Sequence, residues 1–169
     1  WRANELSASN SSPVIWEDQG KERLIVSARS NVSCLDLATG EVVWTAQGGG
    51  ESTPVVVGDW LVAYSRQEEI GLAGYKLSSE GAEMVWNHAL EARRTQSTPV
   101  IFEGHVYFAG GENQMCVELA SGKVKWHEKR KCTISSPLVA DGKFIVLEKN
   151  GSDLVMLKAS PEAHQELAK

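Results

Sequence analysis

LDLATGEVVW, residues 35 to 44, is a short apolar run, an acidic residue, a Thr-Gly turn and a second β-type run that stops on tryptophan. The phrase returns as VELASGKVKW at Val117–Trp126, and between the two stands YKLSSEGAEMVW at Tyr75–Trp86, the same phrase with an insertion. Trp44, Trp86 and Trp126 are 42 and 40 residues apart, and Trp1 stands 43 before the first of them. A second marker keeps the same step. Ser-(Ser/Thr)-Pro triplets place Pro13, Pro54, Pro99 and Pro137 at spacings of 41, 45 and 38. Two unrelated markers with one period define a structural repeat.

A repeat of about 40 residues built from short strands has the length of one four-stranded propeller blade. Each proline suits the start of a strand, where a missing N–H costs nothing. Turn pairs follow at Asp18–Gly20, Gly58-Asp59, Glu103-Gly104 and Asp141-Gly142, and each opens a β-branched run: LIVSA, LVAYS, VYFAG and FIVLE. Such a pair between two apolar runs is a hairpin signal. Polar bends, Arg29–Asn31 in the first unit and Lys149–Ser152 in the fourth, lead to a third strand, and Thr39-Gly40 or Ser121-Gly122 turns the chain into a fourth. The expected fold is all-β: four-stranded antiparallel blades of a β-propeller, in units 8–47, 48–90, 91–129 and 130–169, with 1–7 as the outer strand of a preceding blade. The tail SPEAHQELAK has helix-forming composition, but its place at the end of a unit makes it an outer strand. Trp44, Trp86 and Trp126 are read as wedges that fill the gap between neighbouring blades, and Gly40 and Gly122 as the turn residues of the same phrase.

The net charge of −5 and the scattered basic residues exclude an electrostatic footprint for nucleic acid. No apolar run approaches the ~20 residues of a membrane span. Cys34, Cys116 and Cys132 form no CxxC, and no histidines have metal-ligand spacing. Cys34 and Cys116 share one repeat position, where a small apolar side chain packs between layers. They are expected to stay unbridged to each other, since equivalent positions two blades apart exceed the reach of a disulfide. Asp36 and Glu118 occupy the place of an acceptor for the following turn. His88 and His127 read as outer-strand surface residues, and His105 as a solvated turn residue. The glycine-rich stretches 47–51 and 109–113 lack the Gly-Lys-Ser/Thr of a phosphate loop and read as turns.

The phrase L-D-x-x-T-G-x-x-x-W resembles the blade motif of pyrroloquinoline-quinone-dehydrogenase-type propellers, which LDLATGEVVW matches throughout. The resemblance implies a ring of about eight blades, of which this chain supplies four, leaving two open ends for self-association. It also implies two functional alternatives, a non-catalytic scaffold or part of a quinone-dependent oxidoreductase. A quinone site in that family needs a vicinal cysteine pair, calcium ligands and a catalytic Asp, and no two cysteines here are adjacent. The preferred reading is a scaffold or binding module for a protein or polymer partner, periplasmic or extracellular, with no catalytic, metal or cofactor residues assigned. Recognition falls to the inter-unit loops. Arg93 and Arg94 precede STPVI, and Lys129, Arg130 and Lys131 precede SSPLV, so these five form a candidate basic rim. The bends around Arg29, Arg66, Glu112 and Lys149 are the second candidate surface.

Overall fold

The computed structural model describes residues 1–7, 10–91, 96–132 and 136–169. Among these residues sixteen strands form four separate antiparallel sheets of four. The first sheet contains β1 (Val14–Asp18), β2 (Lys21–Ser27), β3 (Asn31–Asp36) and β4 (Val42–Gln47) in sequential order. The second holds β5 (Val55–Val57), β6 (Trp60–Tyr64), β7 (Leu72–Ser78) and β8 (Gly81–His88). The third holds β9 (Val100–Phe102), β10 (His105–Gly110), β11 (Asn113–Glu118) and β12 (Val124–Lys129). The fourth runs β13 (Leu138–Ala140), β14 (Lys143–Glu148), β15 (Asp153–Lys158) and β16 (Glu166–Ala168), with one 3-10 turn at Lys149–Gly151. The tail is therefore an outer strand. Residues 1–7 form no strand; they lie against the first sheet, where the Arg29 amide donates to the Ser7 carbonyl at 3.2 Å.

Both residues of the first hairpin turn have positive φ, Gln19 at 50° and Gly20 at 82°, and the same holds at Glu103-Gly104 and Asp141-Gly142. That is the primed geometry whose twist matches two antiparallel strands.

The core lies between the sheets. Ile25, Val32, Cys34 and Trp44 of blade one meet Leu61, Ala63, Ala73 and Tyr75 of blade two. Val62, Tyr64 and Leu72 leave the other side of blade two to meet Val106, Phe108 and Met115. Tyr107, Cys116 and Trp126 meet Phe144, Val146, Val155 and Leu157 in the same way. A central blade is thus apolar on both faces, which is why β6 reads as an unbroken buried run from Leu61 to Tyr64 rather than an alternating one.

The inner ends are tied by a one-way ladder. The Ser12 amide donates to Thr53 Oγ1 at 2.9 Å, the Thr53 amide to Thr98 Oγ1 at 3.2 Å, and the Thr98 amide to Ser136 Oγ at 3.2 Å. The middle residue of each Ser-(Ser/Thr)-Pro triplet is therefore the inter-blade link.

Candidate functional site: the face of connectors and bends

The outer ends are closed by tryptophan. The Trp86 indole N–H donates to the Leu119 carbonyl of the next blade at 2.7 Å, and Trp126 donates to the Ser160 carbonyl at 2.8 Å. Trp1 makes the same bond to the Leu37 carbonyl at 3.0 Å. Gly122 lies beneath Trp86 and Gly40 beneath Trp1 so closely that a Cβ at either would overlap the ring, and both have positive φ, 72° and 77°. The Thr/Ser-Gly turn is required twice, once by its own backbone and once by the tryptophan of the preceding blade. Directly across each sheet from the tryptophan stands a small residue: Cys34 opposite Trp44, Gly74 opposite Trp86, Cys116 opposite Trp126. Blade four inverts the pair, with Met156 opposite Ala168.

Trp44 is the exception, buried with its indole N–H unpartnered. The insertion in YKLSSEGAEMVW explains it. Strands β7 and β8 stay paired as far as Ser78 and Gly81, with Leu77 opposite Ala82, whereas β11 and β12 part after Val117, which leaves the Leu119 carbonyl for Trp86.

The acidic residue of the phrase caps its own turn. Asp36 Oδ1 accepts from the Ala38 and Thr39 amides at 3.0 and 3.1 Å, and Glu118 accepts from the Ser121 hydroxyl. Asp36 also faces Lys21 at 2.9 Å and Arg23 at 2.8 Å. Lys21 first, and then the Thr39 amide, hold its carboxyl at about 2, below the usual 3.8. A depressed folded-state value contributes stability that is complete above the unfolded value and fades as pH falls through the folded one. Asp36→Asn should accordingly flatten the loss of stability between about pH 4 and pH 2 in acid denaturation followed by circular dichroism.

Where both are described, the connectors and the bends lie side by side. The first and the third connector between blades are each bonded on one side to the bend of their own blade and on the other to the bend of the next. The Gly48 amide donates to the Ser30 carbonyl at 3.0 Å, while the Gly49 carbonyl accepts from the Arg66 amide at 3.0 Å and from Ser65 Oγ at 3.2 Å. Likewise the Arg130 amide donates to the Glu112 carbonyl, the Cys132 amide to the Gly111 carbonyl, and the Lys149 amide to the Lys131 carbonyl, at 3.0, 3.1 and 2.8 Å. The glycines at 48–50 are therefore points of close backbone approach rather than simple turns. Arg29, Arg66, Lys129, Lys131 and Lys149 are exposed on this face and Arg130 is half-buried. Arg93 and Arg94 lie outside the described residues.

The surface is mixed in sign rather than purely basic. Glu68, Glu69, Glu91 and Glu112 are exposed around blades two and three, Arg66 pairs with Glu51 at 3.5 Å, and Lys149 pairs with Asp153 at 2.9 Å. Lys129, Arg130, Lys131 and Lys149 gather where blades three and four meet. Beneath them lies a polar knot that sequence reasoning missed. Gln114, fully buried, donates to Glu148 Oε1 at 2.8 Å and accepts from His164 at 2.8 Å, and His164 stands edge-on to Trp126. Asn113 Oδ1 takes both His127 and Lys129, at 2.9 and 3.0 Å. His88 bonds the Gly122 carbonyl at 2.8 Å. Three of the four histidines thus fasten strands or blades, a role that spacing along the chain does not announce.

Cys34 and Cys116 are sealed between blades, and burial pushes their thiols up to about 11. Among the described residues no group of three His, Cys, Asp or Glu side chains is placed to hold a metal. The described residues do not fit a quinone site of the kind the blade motif implies, because no two cysteines are adjacent or bonded to each other and Cys34 and Cys116 are buried.

The family model of outer membrane protein assembly factor BamB matches residues 2–73 and 75–160. The chain belongs to this family. Relatives include BamB of Salmonella typhimurium, 22% identical over 125 residues, and BamB of Escherichia coli, 21% identical over 125 residues; each match covers 72% of this chain and 31% of the relative. The chain spans about a third of the length of these curated relatives. Among solved structures, BamB from Moraxella catarrhalis superposes with a TM-score of 0.71 at 14% identity, over 97% of this chain and 54% of that one. The quinohemoprotein alcohol dehydrogenase of Comamonas testosteroni gives 0.71 at 13% identity, over 96% and 35%. The fold is a β-propeller built of quinoprotein-type blades. Catalytic and assembly proteins share it, so the fold by itself does not choose between them.

Proposed function

We propose that the chain is a non-catalytic protein-binding part of a bacterial envelope scaffold, periplasmic or extracellular, that recognises a protein or polymer partner through the face of connectors and bends. The observation that supports this reading is the bonding of the first and third connectors to the bends, beside which Arg29, Arg66, Lys129, Lys131 and Lys149 are exposed. Membership of a family named for outer membrane protein assembly supports it, as does the burial of Cys34 and Cys116. Rigid loops recognise without ordering cost, and charges at their rim act through encounter rate more than through final affinity.

The test is charge reversal at Arg93, Arg94, Lys129, Arg130 and Lys131, with the association of a partner recovered from the native envelope followed at several salt concentrations. Association should slow on the order of tenfold at low salt, and the salt dependence should flatten, while the fold is unchanged. Unchanged rates and unchanged salt sensitivity would move recognition away from these residues.

A further inference from the structure

Two residues before the small residue that faces each closing tryptophan, blades one and two carry Val32 and Leu72, both fully buried. Blade three carries Gln114 at that position, equally buried. A buried amide where the repeat accepts an aliphatic side chain costs stability unless its polar atoms are satisfied. Here they are satisfied across a blade junction. Glu148, buried at the end of β14, accepts from Gln114 Nε2 at 2.8 Å, which turns Gln114 Oε1 towards His164 in the segment before β16, also at 2.8 Å. An amide oxygen only accepts, so His164 donates to it from Nε2, and the neutral ring carries no proton on Nδ1.

The groups around this imidazole come from both blades. Trp126 stands edge-on to it, with ring centroids 5.2 Å apart. Glu128 of β12 lies across the ladder from Gln114, and Arg130 and Cys132 come from the third connector. Blade four supplies Glu148, with Lys169 at 3.8 Å from it, and Lys169 pairs in turn with Asp153 at 2.8 Å. Burial first, and then the Arg130 guanidinium, hold the His164 ring below the usual 6.5, against the opposing pull of Glu128 and Glu148. The Cys132 thiol, 3.6 Å from Gln114 Nε2, is pushed up to about 11 by burial and keeps its proton throughout. A base whose folded value lies below its unfolded one contributes stability that is complete above the unfolded value and is lost as pH falls through the folded one.

Glu148 also holds the connector. It forms a backbone bridge with Cys132, and the next amide, that of Lys149, donates to the Lys131 carbonyl at 2.8 Å. We propose that the chain His164–Gln114–Glu148 is a proton-operated fastening between blades three and four, which holds the third connector on the fourth bend at neutral pH and frees it in mild acid, so that Lys131 and Lys149 lose their fixed places on the surface. A proton on His164 pulls the ring towards water and away from Gln114, whose buried oxygen then lacks a donor. The first connector is built differently. Gly48, Gly49 and Gly50 are tied through backbone groups and the hydroxyls of Ser27 and Ser65, none of which titrates in this range. The fastening stands on the knot alone, and only its effect on a partner rests on the recognition reading.

The test is amide hydrogen exchange of the intact protein at pH 7.5 and pH 5.5, corrected for the intrinsic exchange rate. Protection of residues 129–132 and 149–152 should fall about tenfold in acid, within the tenfold per pH unit that one titrating group allows, while that of residues 48–50 should hold. His164→Gln can still donate to Gln114 but takes no proton, and it should keep its protection at both pH values. His127→Gln, whose partner in the parent is Asn113, should leave the acid response in place. Titration of the histidine rings by NMR should place His164 below 6.5. The fastening is refuted if His164→Gln still loosens in acid, if residues 48–50 loosen as much as 129–132, or if His127→Gln abolishes the response. Should His164→Gln fail to fold, the exchange profile of the parent and its ring titration decide alone. The exchange is read without a partner, so its failure strikes the fastening and leaves the recognition reading untouched.

Discussion

Trp126→Ala should lower the unfolding free energy by about 3 to 5 kcal/mol, the usual cost of truncating a buried tryptophan. Trp44→Ala should cost a similar amount, since both rings are nearly buried and both fill an inter-blade cluster. The substitution to phenylalanine separates the two. Trp126 donates to the Ser160 carbonyl, so Trp126→Phe should lose that bond and cost about 1 to 2 kcal/mol beyond the change in packing. Trp44 has no acceptor, so Trp44→Phe removes an unpaired buried N–H and should be close to neutral. Denaturant melts of the four variants check this. Losses below about 1 kcal/mol for both alanine variants would mean that the rings are not wedges.

The second large effect is expected at Gly49. A methyl group there would overlap the carbonyl oxygens of Ala28 and Asn31 and the Asn31 amide, all of them backbone atoms of blade one that cannot rotate aside. Gly49→Ala must therefore push the connector off the bend of its own blade and strain its bonds to Ser65 and Arg66 of the next. We expect a loss of about 3 kcal/mol or more, in the range that only named structural faults reach. Gly58→Ala is the control: its Cβ meets nothing, and only the positive φ of 55° is strained, so about 1 kcal/mol is expected. Equal losses at the two positions would show that backbone conformation, not close approach, decides both.

These positions also show how far the sequence could be read. The repeat was legible because both of its markers are forced by geometry. Proline opens the inner strand, and tryptophan with its turn glycine closes one blade onto the next. Asp36 and Glu118 were legible because turn capping is local in the chain. What could not be read are relations between blades, which have no signature in spacing. Thr53 and Thr98 look like ordinary strand-entry residues until two blades are side by side. Gly48 to Gly50 pass for a loop, since crowding by another segment leaves no mark on composition. Gln114 lies in a strand of buried residues, and its partners Glu148 and His164 come 34 and 50 residues later. The proposed recognition face was legible only in halves. Connectors and bends fall far apart in sequence, and the alternation of strand direction brings them to one side.

The most direct measurement of that face is site-specific photocrosslinking in the native envelope. A photoreactive side chain would be placed at Arg66 or Lys131 on the face of connectors and bends, or at Asp59 or Lys123 on the face of hairpin turns. The account predicts discrete protein adducts from Arg66 and Lys131 and none from Asp59 and Lys123. Adducts confined to Asp59 and Lys123, or equal yields from all four, would contradict it.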